Sequence, residues 1–165
     1  MTAELRERMG AFSREVQEAG HPQVQHLCRS LHEIMSAFPD LEFALEPGRA
    51  LEDLLGLDSM GWVLDDLGKH KLGYWHDVGR IHMRQRQGLP AHAEWLDAYA
   101  SRMVGVHLQD AAGDEVALPP GSGEVDFKML REALPKSAER VLDIHQRHGR
   151  AEVLAAVQFL LDLGI

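Results

Sequence analysis

Residues 72–77 read Leu-Gly-Tyr-Trp-His-Asp and residues 103–108 read Met-Val-Gly-Val-His-Leu. Each stretch is short, largely apolar and followed by a helix-like segment, which is typical of the strands of a β/α repeat. Each also carries a possible metal ligand at or near its end, Asp77 in the first and His107 in the second. Because the carboxyl ends of parallel strands lie at one edge of a sheet, the two side chains are predicted to approach each other.

Two further stretches have the same form. Residues 41–46 end at Glu46, and residues 140–143 end at Asp143. Three carboxylates and an imidazole at one sheet edge would suit a divalent metal ion such as Mn, Mg, Co or Zn. The sequence therefore predicts one metal site with four ligands: Glu46, Asp77, His107 and Asp143.

The strand starts near residues 41, 72, 103 and 140 predict a parallel sheet built from four β/α units. Two amphipathic helices precede them, one up to Gly20 and one over residues 22–38. Between and after the strands the apolar spacing predicts helices over the following ranges: 50–57, 59–67, 91–102, 126–134 and 151–163. We interpret residues 1–165 as a single α/β domain, with a helical N-terminal segment at 1–39 and four β/α units at 40–165.

Composition limits the function classes. A chain of 165 residues with 45% apolar content can bury one substantial core. The net charge of −9 argues against a general nucleic-acid binder. Cys28 is the only cysteine, which excludes an internal disulfide and favours a reducing, cytoplasmic compartment. The first twenty residues lack the continuous apolar run of a signal peptide or a membrane span, so no membrane association is predicted.

Five segments of the chain resemble the xylose-isomerase-like TIM barrels, a family of sugar and sugar-phosphate isomerases and epimerases that also includes endonuclease IV. The resemblance runs from about residue 41 to the C-terminus, which corresponds to the second half of such a barrel. The segments are Phe43-Ala44-Leu45-Glu46, Gly73-Tyr74-Trp75-His76-Asp77-Val78-Gly79-Arg80, Gly105-Val106-His107-Leu108-Gln109-Asp110, Pro120-Gly121-Ser122-Gly123-Glu124-Val125-Asp126-Phe127 and Arg140-Val141-Leu142-Asp143-Ile144. The fold expected from this resemblance is a partial TIM barrel.

The resemblance implies roles for individual residues. Glu46 and Asp143 correspond to the family's two proton-transfer carboxylates, which also bind the metal. In such enzymes the metal polarises a carbonyl and stabilises an enediolate while a neighbouring proton moves. Trp75, His76 and Arg80 are candidates for binding a small sugar or sugar phosphate. The chain is therefore expected to be a metal-dependent isomerase or epimerase, if it is active.

Two positions depart from the family pattern. Asp143 stands where the family has glutamate, and its shorter side chain can hold a metal yet lie too far back for proton transfer. Arg80 stands where the family usually has histidine; a guanidinium cannot bind a metal but can grip a carboxylate or phosphate. Length is a third departure, since a full barrel needs about 250 residues. A half barrel has unpaired sheet edges, so the chain is expected to form a homo-oligomer or to associate with a missing half barrel. The alternative function is a catalytically inactive half-barrel module that self-associates or binds a partner protein.

Each candidate residue also has a structural interpretation. Glu46 and Asp77 can cap the helices that follow them. His107 can be an ordinary core histidine, and Trp75 and His76 can pack inside the fold. The loop 121–123, Gly-Ser-Gly, is either an ordinary turn or a phosphate-binding turn. The basic stretch with His82, Arg84 and Arg86 is expected to be solvated, and these three residues are not placed in the site.

Overall fold

Four parallel strands form the central sheet in the computed structural model, which describes residues 2–165. They are β1 (Phe43–Leu45), β2 (Leu72–Asp77), β3 (Met103–Leu108) and β6 (Glu139–Leu142), and they lie in the order β1-β2-β3-β6. The predicted bounds of β2 and β3 are confirmed. The first strand is shorter than predicted, and the last begins and ends one residue earlier.

Seven α-helices accompany these strands in the described residues. They are α1 (Ala3–Ala19), α2 (His21–Ala37), α3 (Leu57–Asp66), α4 (Val78–Arg86), α5 (His92–Tyr99), α6 (Phe127–Ala133) and α7 (Arg150–Leu163), and a short 3-10 turn (Ala100–Arg102) follows α5. The fold is thus mixed α/β with a four-stranded parallel sheet, as the strand and helix spacing predicts. No helix among residues 2–165 is long and apolar enough to cross a membrane.

The predicted helix over residues 50–57 is wrong, because this segment is a loop that leads into α3. The loop carbonyls are bound by a side chain instead of by helical amides. Arg84, on α4, donates from Nη1 to the carbonyl oxygens of Gly48 and Ala50, at 3.0 and 3.4 Å. Arg84 is fully buried, so the expectation that it is solvated is also wrong. A buried guanidinium needs acceptors, and this loop supplies two of them to Nη1.

An antiparallel hairpin, which the sequence analysis did not predict, follows β3 directly. It consists of β4 (Asp110–Ala112) and β5 (Glu115–Leu118), joined by Gly113-Asp114. Gly113 has φ +58°, a left-handed conformation that a tight two-residue turn requires. The hairpin places Gln109 and Asp110 in a buried position beside the end of β3.

The two faces of the sheet differ in what covers them. One face packs against the helices through a large apolar core, in which Trp95 of α5 stacks on Tyr74 of β2 at 5.9 Å between ring centroids. A smaller cluster joins α2 to α3 through Val24, Met35 and Val63.

Because strand residues alternate between the two faces of a sheet, the neighbours of Tyr74 in β2 point to the opposite face. This opposite, more open face is formed by partly or fully exposed residues: Ala44, Trp75, His107 and Val141.

Candidate metal centre

Three of the four predicted ligands lie together. Glu46 follows β1, Asp77 ends β2 and His107 lies near the end of β3, where it is the register partner of Asp77. One ligand atom from each residue lies within 4.8 Å of the others. Three adjacent strands therefore bring two carboxylates and an imidazole to one point, a donor set that suits a divalent metal ion.

Short contacts connect the three residues. The Nδ1 atom of His107 lies 2.6 Å from Oε1 of Glu46 and 3.7 Å from Oδ2 of Asp77. Because an ionised carboxylate only accepts hydrogen bonds, His107 donates its Nδ1 proton to Glu46 in this arrangement. Coordination through Nδ1 would instead require the other neutral tautomer, in which the ring proton lies on Nε2.

Asp77 combines a structural role with a free ligand atom. Its Oδ1 accepts hydrogen bonds from the backbone N–H of Arg80, at 2.8 Å, and from Gln109 Nε2, at 2.9 Å. It is therefore the N-cap of α4, as the structural interpretation predicts. Its other oxygen, Oδ2, is buried and receives no hydrogen bond, although Arg80 Nε lies 3.1 Å away. A buried anionic oxygen that lacks a donor is suited to a cation.

Asp143, the fourth predicted ligand, lies outside this close group and is linked to it through Gln109. The amide of Gln109 donates to Asp77 Oδ1 and, at 3.2 Å, to Asp143 Oδ2. The carbonyl oxygen of the same side chain accepts the backbone N–H of Ala117 at 2.7 Å. Gln109 thus connects two predicted ligands through hydrogen bonds, and direct coordination by Asp143 stays a prediction.

Gln109 is the residue of this site that the sequence analysis missed, and a signal for it was present. It lies two residues after His107 and so points to the same side of the chain. Its partner Ala117 has φ +58°, a conformation that non-glycine residues rarely adopt. An unusual backbone conformation at the residue that binds Gln109 is consistent with a functional role for this position.

No family model, no curated protein and no solved structure matches this chain.

Among the predicted substrate-binding residues, Trp75 and His76 lie on opposite faces of the sheet. The Trp75 ring lies against His107, with 5.0 Å between ring centroids, and crosses Gly105, where a Cβ atom would meet the indole at 2.1 Å.

His76 is fully buried on the helix-covered face, where it contacts Tyr74 Oη at 2.8 Å and His92 Nδ1 at 3.1 Å. Burial, with a contribution from His92, holds the pKa of His76 well below its usual value, so His76 is neutral. Of Trp75 and His76, only Trp75 lies beside the predicted metal ligands.

Arg80, the third predicted substrate contact, reaches the cluster directly. Its Nη1 atom lies 2.7 Å from Glu46 Oε2 and its Nε atom 3.1 Å from Asp77 Oδ2. The Arg80 side chain is 37% exposed, compared with 22% for Glu46 and 0% for Asp77. The guanidinium thus lies between the carboxylates and solvent.

The backbone amides of the glycine loop at residues 121–123 are hydrogen-bonded to a side chain of the same protein. Asp110, which is 1% exposed, accepts backbone hydrogen bonds from Gly121, Gly123 and Val125 at 2.9, 2.8 and 3.1 Å, and from Ala111. These amides therefore bind a carboxylate of the chain itself. The phosphate-binding interpretation of this loop is not supported, and the turn interpretation is.

The ionisation of Asp77 predicts a pH dependence of stability in the metal-free protein. Burial raises the pKa of Asp77 from 3.8 to about 6, against the opposing effects of the Arg80 hydrogen bond and charge. Between these values the folded state binds more protons than the unfolded state, so the free energy of unfolding falls as pH rises from about 4 to about 6. The loss should reach at most about 3 kcal/mol, at 1.36 kcal/mol per pKa unit.

Urea denaturation across this pH range, with the metal removed, measures the effect. Asp77→Asn should flatten the pH dependence, since the amide does not titrate. Asp126→Asn is the matched control, because Asp126 is also a helix N-cap but caps α6 through exposed hydrogen bonds. An unchanged slope in Asp77→Asn would show that Asp77 ionises normally.

Proposed function

We propose that this chain is a metal-dependent sugar or sugar-phosphate isomerase or epimerase-like protein, built as a partial TIM barrel. The observation that carries the proposal is the meeting of Glu46, Asp77 and His107 at the ends of three adjacent parallel strands. Their order along the chain also follows the metal-binding segments of the xylose-isomerase-like family. The cytoplasmic location stays a prediction from the single cysteine.

The protein residues can be assigned to separate tasks. Glu46, Asp77 and His107 would hold the ion, and a bound divalent ion would polarise a substrate carbonyl as a Lewis acid. Glu46 is partly exposed on the open face and is the proposed base that removes the proton beside the carbonyl. Asp143, held by Gln109, is the proposed acid that returns a proton. Trp75 would offer an apolar surface to the sugar ring.

Solvent-deuterium incorporation tests this function. The protein is incubated with manganese and a panel of ketoses, aldoses and their phosphates in deuterium oxide, and exchange beside the carbonyl is followed by NMR. We expect exchange in the wild type and its loss in Glu46→Gln, which keeps an oxygen ligand but removes the base. Exchange that persists in Glu46→Gln would exclude Glu46 as the base.

A second candidate function is supported by the uncovered parts of the sheet. In residues 2–165 the sheet ends at β1 and β6 with no further strand beside either. Val141 on β6 is 41% exposed, and the exposed face of α7 carries Leu154, Val157 and Leu161. Unpaired edges and contiguous apolar side chains favour association. The alternative is therefore an inactive half-barrel module that self-associates or binds a partner protein, and a molecular mass above that of one chain without deuterium exchange would favour it.

A further inference from the structure

The guanidinium of Arg80 occupies the positions from which a cation would contact the two carboxylates. It reaches Oε2 of Glu46 through Nη1, at 2.7 Å, and Oδ2 of Asp77 through Nε, at 3.1 Å. The Asp77 oxygen is the buried atom that receives no hydrogen bond. Arg80 is therefore a cation built into the proposed metal site.

We propose that Arg80 competes with the metal ion for Glu46 and Asp77, and that an anionic group on the substrate relieves this competition. The inference rests on the proposed function, because it concerns the same site. It assigns to Arg80 a role beyond binding substrate, since it makes metal binding and anion binding depend on each other.

The competition follows from charge and geometry. A guanidinium stays protonated in proteins, so it cannot yield the site by losing its charge. A divalent ion bound to the same oxygens would lie beside it and repel it in a partly desolvated environment. The ion therefore has to displace the guanidinium before it can use Glu46 and Asp77 together.

The two carboxylates are the polar groups that hold the Arg80 side chain, so a cation that takes these carboxylates also releases the guanidinium. The backbone N–H of Arg80 binds Asp77 Oδ1 at the start of α4. The side chain is 37% exposed, and its polar contacts are with the carboxylates of Glu46 and Asp77. A guanidinium turned toward solvent presents a planar set of donors that matches a carboxylate or a phosphate. An anion bound there holds Arg80 away from Glu46. By thermodynamic linkage the metal and the anion then strengthen each other's binding by the same factor.

Calorimetric titration of the metal-stripped protein with manganese tests the competition. Arg80→Gln is expected to bind manganese about tenfold more tightly than the wild type, within the 5–150-fold range typical of coupled sites. Arg86→Gln is the matched control: Arg86 lies on the same helix, its side chain is 39% exposed, and it pairs with Glu124 outside the site. Both variants remove one positive charge, so a tighter affinity in Arg80→Gln alone isolates the local effect.

The second arm repeats the titration with saturating methyl phosphate or acetate, which represent phosphorylated and carboxylated substrates. The anion that Arg80 recognises should tighten manganese binding by the wild type and leave Arg80→Gln unchanged. Equal manganese affinities in the wild type and Arg80→Gln, with one ion bound to each, would overturn this inference and leave the proposed metal site intact. Absence of binding in both proteins would overturn the inference and the metal site together.

Discussion

His107→Ala is expected to lose manganese binding while keeping its fold. The wild type should bind close to one ion per chain, and the variant should bind it at least roughly a hundredfold more weakly, since even residues that only orient metal ligands cost 10–100-fold when removed. The fold should persist because the His107 side chain is 28% exposed and lies outside the apolar core. Calorimetry measures the affinity, and circular dichroism with urea denaturation measures the fold.

The control for this experiment is another histidine that contacts a glutamate. His148 Nδ1 lies 2.7 Å from Glu152 Oε1 at the start of α7, much as His107 contacts Glu46. Because this pair belongs to no group of three possible ligands among residues 2–165, His148→Ala should bind manganese as the wild type does. Equal affinities in His107→Ala and the wild type would remove the proposed site. Weakened binding in His148→Ala would mean that manganese binds elsewhere.

The parallel strands could be predicted because their signal is local. The apolar runs at 72–77 and 103–108 are bounded by helix-like segments, and the repeat spacing implies parallel pairing. The same spacing predicts that Glu46, Asp77 and His107 lie at one sheet edge, as they do in the structure. A position at the end of a strand determines the approximate location of a side chain, which is sufficient to predict that these three residues lie close together.

The loop at residues 50–57 is not predictable from the sequence, because the contacts that hold it come from distant residues. Its apolar spacing is helical, but the backbone carbonyls before and within it are bound by Arg84, more than thirty residues later in the chain. Local pattern carries no information about such a partner. Arg84 itself was expected to be solvated, because a charged residue is seldom fully buried and only tertiary contacts reveal its acceptors.

The candidate site also combines features that the local sequence predicts with features that depend on distant contacts. The approach of three predicted ligands follows from strand order, whereas the position of Asp143 relative to them depends on Gln109 and on the hairpin that positions Gln109. The insertion of Arg80 between Glu46 and Asp77 depends on where α4 begins. These features arise from packing between elements, which spacing along the chain does not specify.

Asp110→Ala is expected to destabilise the protein by about 4 kcal/mol, because a charged hydrogen-bond acceptor is lost. The side chain accepts four backbone N–H groups and is 1% exposed, so its loss leaves one buried and three partly buried donors without this acceptor. Hydrogen bonds to a charged group contribute about 1.5–3 kcal/mol each, and part of this is recovered as water enters the vacated space. Gly123 is suited to this arrangement, because a Cβ there would lie 2.4 Å from Asp110 Oδ1.

Urea denaturation of two further variants separates this role from ordinary capping. Asp110→Asn should cost about half as much as Asp110→Ala, because one oxygen remains while the amide group faces backbone donors. Asp126→Ala removes an exposed cap that accepts from Lys128 and Met129, and it should cost only about 1 kcal/mol. Equal losses in Asp110→Ala and Asp126→Ala would mean that the loop amides are solvated without Asp110. A larger loss in Asp110→Ala would identify a buried carboxylate, rather than a bound phosphate, as the group that orders the glycine loop.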